Sequence, residues 1–269
     1  MSEIASRDEG PVRILALDRP DRLNAMTPST VAALEDQLRA AEAESGVGAV
    51  VLTGVGQHFS AGGDAHAILD VVADTDEGAP LRLMRAFHRL IEAVWDSELP
   101  VIAAVSGVAY GGGFNLALAC DLVACSADTR LCQVFLRRGL VPDVGGAYLL
   151  PRLVGMQRAK ELMLLTPEID GQRAYDLGLV NAVVADAETA RARAVEWATQ
   201  LADGPRFAVS LTKKLVNGSA TGDLHSSLEL EAVSQTAALR GRAAREGFEQ
   251  FLHRDASGSE TTSGTGTPP

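Results

Sequence analysis

The sequence predicts an α/β fold: a core of alternating strands and helices, followed by a helical C-terminal region. Three observations predict it. Val12–Leu17, Val47–Thr53 and Val101–Val105 are short, unbroken apolar runs, the character of parallel strands covered on both faces. Segments with helical apolar spacing separate these runs. From Ala187 onward the only signal is helical, over Thr189–Ala202, Phe207–Asn217 and Ser226–His253. The expected organisation is a core over residues 1–190, a helical region over 191–254 and a tail over 255–269. Ser257–Pro269 holds no apolar residue to bury and is expected to be disordered.

Each element has its own justification. The first strand, Val12–Leu17, ends at Asp18-Arg19-Pro20. Thr27 then caps a helix with Pro28 in its first turn, running to about Glu44 with Val31, Leu34 and Leu38 on one face. Val47–Thr53 opens into a small-residue turn ending at Ser60-Ala61-Gly62-Gly63-Asp64. Residues 70–80 are acidic and helix-breaking, and are expected to form a mobile surface loop before a helix over Leu81–Ser97. The strand Val101–Val105 leads through Gly111-Gly112-Gly113 into a helix over Asn115–Cys120. Leu122–Cys125 and Val180–Val184 complete the strands.

Composition narrows the function. A net charge of −11 disfavours nucleic acid and anionic membranes as partners. Three cysteines without C-x-x-C spacing predict buried, reduced thiols in a cytoplasmic protein rather than a disulfide framework. The five histidines show no ligand spacing, so no metal site is expected. The polar N-terminus MSEIASRDEG is not a signal peptide, and no apolar run is long enough to span a bilayer.

One glycine turn alone reads as tight helix–strand packing, but two of the same kind suggest a pair of convergent N–H donors. A strand, a turn without Cβ shielding and a helix N-terminus together present unpaired N–H groups to an anion, either a phosphate or an oxyanion formed during reaction. Neither turn matches a dinucleotide or nucleoside-triphosphate motif. Asp143, in Leu140-Val141-Pro142-Asp143-Val144-Gly145-Gly146, has two readings on residues alone: a cap for a helix starting near Gly145, or an acid/base.

Phe59–Asp64 (FSAGGD), the run VIAAVSGVAYGGGFNLALACDL ending at Leu122 and Gly139–Gly146 (GLVPDVGG) resemble the crotonase superfamily, the enoyl-CoA hydratase/isomerase family. Leu15–Met26 and Gly171–Val184 match its pattern too, so the likeness spans about residues 10 to 250. The resemblance implies a crotonase-like spiral of ββα units with a C-terminal helical trimerisation region, assembled as a homotrimer or homohexamer. It implies an acyl-CoA thioester substrate, with coenzyme A as part of that substrate and no metal or redox cofactor. It places an oxyanion hole at the backbone N–H groups of Ala61 and Gly112. The substrate site would include Gly62, Gly63, Asp64, His66, Gly111, Asn115 and Phe135, with Arg22 and Ala25 along the nucleotide.

Two glutamates serve the hydratases of this family; Asn115 and Phe135 stand in their places here. An amide and a phenyl ring cannot activate water or protonate a carbon. The resemblance is strongest to ring-epoxide and enoyl-CoA isomerases, in which the aspartate at the position of Asp143 is the acid/base. A single carboxylate suffices to move a proton from C2 to C4 of a 3-enoyl thioester. The alternatives are a dehalogenase or hydrolase with Asp143 as nucleophile, an atypical hydratase, and a non-catalytic CoA-ester binding protein. Dehalogenases of the superfamily also use a histidine and a tryptophan, roles that the sequence does not assign to His88 or Trp95.

Overall fold

The computed structural model describes residues 3–259. An edge hairpin, β1 (Ile4–Glu9) and β2 (Val12–Leu17), opens the chain, with Ile4 opposite Leu17. Five of the six residues of β1 are exposed, so it carries no apolar signal; backbone pairing to β2 alone makes it a strand. Helix α1 (Pro28–Ala43) begins at the capping box of Thr27 and Thr30, and β3 (Ala49–Gly54) follows. After them come α2 (Ala65–Ala73), α3 (Ala79–Trp95), β4 (Val101–Val105), β5 (Val108–Tyr110) and α4 (Gly112–Ala119). The chain continues through β6 (Leu122–Ser126), β7 (Arg130–Cys132), a 3-10 turn over Val134–Arg138, and α5 (Gly146–Lys160), which is kinked at Gly155. A π-helical turn (Glu161–Leu165), β8 (Ile169–Asp170), α6 (Gly171–Asp176), β9 (Ala182–Val184) and α7 (Ala187–Ala202) complete the series.

The strands form a six-stranded sheet in the order β1-β2-β3-β4-β6-β9 and a three-stranded sheet in the order β5-β7-β8. From β2 onward every neighbour in the larger sheet is parallel. The chain passes from the large sheet to the small one at β4–β5 and again at β6–β7, which is the repeating ββα unit. Alternate residues of a strand face opposite ways. Leu15, Leu17, Leu52 and Ala103 therefore join the core beneath α1, α3 and α4, while Val12, Ile14, Val51 and Ile102 meet Ala194 and Ala198 of α7. Both faces are covered, which is why the strands read as unbroken apolar runs.

Several expectations change. Residues 70–73 belong to α2 and residues 79–80 already to α3, so only 74–78 connect the two helices. In that short connection Asp74 and Asp76 accept hydrogen bonds from the N–H groups of Asp76 and Gly78, fixing the turn. Helix α7 is part of the sheet's packing, so the core does not end at residue 190: the chain divides after Lys213. Helix α8 (Arg206–Ser219) contains that boundary. Lys213 is buried; its Nζ lies 2.8 Å from Asp121 and donates to the carbonyls of Val94 and Leu99.

The second unit holds α9 (Leu224–Leu239) and α10 (Arg242–Ser259). These are two helices broken at Arg240-Gly241, where the sequence predicts one. The expected disordered tail begins inside α10, which continues through Ser259; residues 260–269 lie outside the described residues. Among the described residues no helix is long and apolar enough to cross a membrane.

Candidate active site

The site begins where the two glycine turns meet. Ser60 leaves the end of the β3 connection and pairs with β5: its N–H donates to the Val108 carbonyl, and its carbonyl accepts from the Tyr110 N–H. The first turn is thereby held along the strand that leads into the second. Contact is close enough to require glycine at Gly62, whose φ is +88°. A Cβ there would lie 2.7 Å from the Tyr110 carbonyl and 3.1 Å from the Gly112 nitrogen.

The expected oxyanion pair changes by one member. The Ala61 N–H is occupied, donating to the Leu23 carbonyl at 2.9 Å, and the Gly62 N–H donates to Ser60 Oγ. Gly63 is the first residue of the turn whose N–H has no partner among the described residues. It sits between two backbone bonds that hold the turn to Met26: Met26 N–H to the Gly62 carbonyl, and Asp64 N–H to the Met26 carbonyl. The Gly112 N–H also has no partner among the described residues, because α4 starts at Gly112 rather than at Asn115, in the first turn where helical N–H groups have no acceptor. Gly63 and Gly112 both line one pocket. The signal in the sequence was Asp64: as the N-cap of α2, accepting from His66 and Ala67, it fixes Gly63 as the last residue before the cap.

Asp143 lines the same pocket. It does not cap α5, whose N-cap is Gly145 with no side-chain hydrogen bond. Its Oδ1 is buried without a partner. Burial raises its carboxyl from the ordinary 3.8 to about 6, while the charge of His88 on α3 pulls the other way. The backbone that aims it is strained: Val144 has φ 51° and Gly145 φ 76°. A β-branched residue in the left-handed region costs about 1–3 kcal/mol and persists only where its surroundings enforce it. Here Val144 is buried, with its Cγ2 3.3 Å from where a Gly112 side chain would begin.

Asn115 is the brace rather than a wall. It is fully buried on α4, donates from Nδ2 to the Asp143 carbonyl at 2.8 Å, and accepts at Oδ1 from Gln133 Nε2 at 2.7 Å. A side chain at Gly146 would collide with it at 2.3 Å. The amide that removes a hydratase glutamate thus holds the loop that carries Asp143. Apart from Arg138 at the end of the 3-10 turn, the pocket's side-chain walls are apolar: Ile68 from α2, Leu83, Met84 and Phe87 from α3, Val134 and Phe135 from the 3-10 turn, and Leu140 and Val144. Gly111 lines the pocket, and its φ of 50° with ψ of −118° is a backbone conformation that favours glycine.

The remaining predicted residues lie around this pocket rather than on it. Asp64 is buried and paired with Arg19 at 2.9 Å; that guanidinium also donates to the Ala25 carbonyl, tying the Arg19–Ala25 segment to the first turn. Against the cost of burial, the N–H groups of Ala67 and His66 and the Arg19 guanidinium hold the Asp64 carboxyl low. Arg22 and His66 are exposed. Trp95 packs edge-on against Tyr148 at 6.2 Å and is not a pocket wall. His88, which the sequence could not place, faces Asp143 electrostatically. Among the described residues no group of three His, Cys, Asp or Glu side chains could hold a metal ion.

Comparison with known proteins gives the family. The family model for enoyl-CoA hydratase/isomerase matches residues 7–258. The chain is 36% identical over 255 residues to 1,2-epoxyphenylacetyl-CoA isomerase of Escherichia coli, covering 94% of this chain and 96% of that protein. It is 31% identical to 4-chlorobenzoyl coenzyme A dehalogenase-2 of an Arthrobacter species, with 82% and 79% covered. The crystal structure of an enoyl-CoA hydratase from Polaromonas superimposes with a TM-score of 0.89 at 35% identity, covering 93% of this chain and 97% of that one.

Proposed function

From the chain's membership of the enoyl-CoA hydratase/isomerase family, we propose that it isomerises an acyl-CoA thioester, moving a double bond or opening a strained ring epoxide beside the thioester. The observation that carries this reading is Asp143: one carboxylate, with an unpaired buried oxygen, on the lining of an apolar pocket that also holds two unpaired N–H groups.

The thioester oxygen binds between the N–H groups of Gly63 and Gly112. Asp143 as carboxylate removes a proton from C2 of a 3-enoyl thioester. The electron pair moves onto the thioester oxygen, where the two donors and the N-terminus of α4 stabilise the dienolate. The protonated Asp143 then returns the proton at C4, giving the conjugated 2-enoyl thioester. A carboxyl poised at about 6 serves both halves of the cycle near neutral pH. Coenzyme A enters as part of the substrate, and the proton transfer needs no further cofactor. Exposed Arg22 and His66 are the side chains that would meet the nucleotide, with buried Ala25 behind them.

The test is growth of the ultraviolet absorbance of conjugated thioester from 3-enoyl-CoA esters, with Asp143→Asn alongside. Turnover by the parent protein alone supports the reading; equal turnover by the variant overturns it.

His88 favours a second reading. Its charge acts on Asp143, and the similarity to a 4-chlorobenzoyl coenzyme A dehalogenase supports chemistry in which Asp143 attacks as a nucleophile. A covalent acyl- or aryl-enzyme adduct in the intact mass would select it. Trp95, which packs on Tyr148 and does not line the pocket, supplies no second accessory group and weighs against it. Exposed Leu228, Val233, Phe248 and Phe251 on the C-terminal helices support a homotrimer or homohexamer, measurable by light scattering. The three free, buried cysteines support a reducing, cytoplasmic setting.

A further inference from the structure

One charge on the pocket lining is not used by this chemistry. Arg138, at the end of the 3-10 turn, is the single basic residue among the pocket's lining side chains. Its neighbour Arg137 is tied down, donating to the Thr166 hydroxyl at 2.9 Å and to the Thr166 carbonyl. Arg138 has no hydrogen bond or ion pair among the described residues, and its side chain belongs to an exposed residue at the pocket's rim. It is not the counter-ion of Asp143 either: the charge that acts on that carboxylate is His88's. The chain carries 35 acidic residues against 24 Lys and Arg, and many of its other arginines pair with carboxylates, as Arg13, Arg19, Arg39, Arg82 and Arg158 do. An arginine left unpaired on the wall of an apolar pocket is a preformed site for an anion, and its planar fork fits a carboxylate through two parallel hydrogen bonds.

We propose that Arg138 selects acyl-CoA thioesters whose acyl chain ends in a carboxylate. The apolar walls from α3 and the 3-10 turn take the methylene chain, and Arg138 takes the terminal carboxylate where the pocket opens. This inference rests on the acyl-CoA reading of the pocket and adds to it the class of acyl group.

The experiment measures binding separately from turnover, using saturated thioesters that cannot isomerise. Pentanoyl-CoA is compared with glutaryl-CoA, and hexanoyl-CoA with adipyl-CoA, by calorimetry on the full chain and on Arg138→Met and Arg138→Lys; free CoA is titrated alongside. The parent protein is expected to bind at least one carboxylate-ended member about 10- to 100-fold more tightly than its methyl-ended partner, the range of charge-assisted hydrogen bonds at a part-exposed site. Arg138→Met should abolish that preference while leaving methyl-ended esters and free CoA unchanged, and Arg138→Lys should keep part of it. A preference that survives in Arg138→Met overturns the proposal, as does the absence of any preference in the parent protein. Equal weakening of every ester and of free CoA would place Arg138 on the CoA phosphates, and overturns it too. If the preference behaves as expected but no 3-enoyl ester isomerises, the isomerase reading fails and the assignment of Arg138 stands.

Discussion

Replacing Asp143 by Asn separates stability from catalysis and should move them in opposite directions. In the folded protein the carboxyl titrates near 6, against an ordinary 3.8. The native state therefore holds this proton more tightly than the unfolded chain does. Between about pH 4 and 6 the native form remains protonated while the unfolded form ionises, so stability falls as pH rises through this window. Above 6 the full cost of keeping a desolvated carboxylate is present. A difference from 3.8 to 6 corresponds to about 3 kcal/mol at 1.36 kcal/mol per pH unit. The residue is only half-buried, so solvent screening reduces this to about 1–2 kcal/mol. Asparagine keeps the shape and removes the charge. Asp143→Asn should therefore be about 1–2 kcal/mol more stable than the parent protein at pH 8 and indistinguishable from it below pH 4, by urea denaturation at both pH values. Isomerase activity in the parent protein should rise with pH through about 6, since the base must be ionised to accept a proton, and the variant should lose it. A variant that is less stable at pH 8, or whose stability difference does not change with pH, would refute the claim that this carboxylate is held desolvated.

Four further outcomes follow from the same geometry. His88→Gln removes a charge that favours ionised Asp143, so the rising limb of the pH–activity profile should move to higher pH. Gly62→Ala puts a Cβ 2.7 Å from the Tyr110 carbonyl at a φ of +88°; we expect about 2–3 kcal/mol of destabilisation by thermal melting and about 100-fold lower kcat as the two N–H donors separate. Asn115→Ala leaves the Asp143 carbonyl and the Gln133 amide without their partners, costing about 2–4 kcal/mol; kcat should fall more than KM rises, because the loop that aims Asp143 is loosened. Lys213→Met strands Asp121 in a buried setting that already pushes its carboxyl up, and should cost about 3–5 kcal/mol in chemical denaturation without changing KM.

What the sequence made legible follows the physics of each element. Strands buried on both faces announce themselves as apolar runs, and all three of the leading runs became neighbours in one parallel sheet. β1 is polar and held by backbone pairing, which leaves no side-chain pattern to read. The 70–80 stretch looked like a loop because its acidic residues and Pro80 break apolar periodicity. Pro80 instead sits in the first turn of α3, where a missing N–H costs nothing. Lys213 shows the same limit: its burial depends on an acceptor set from Val94, Leu99 and Asp121, about a hundred residues away in the chain. At the site, the residue types were legible and the donor was not. Spacing located both glycine turns, but which N–H is free depends on a bond from Ala61 to the Leu23 carbonyl, a residue in the left-handed region at the end of a short 3-10 turn. That bond occupies the first donor of the turn and leaves the Gly63 N–H as the unpaired one among the described residues. Asp143 was ambiguous between cap and acid for a related reason. The outcome turns on the backbone after it: Val144 and Gly145, both at positive φ, shift the cap of α5 two residues onward and leave the carboxylate directed at the pocket instead of at helical N–H groups. The strain held at Val144 is thus what separates a structural aspartate from one available for chemistry.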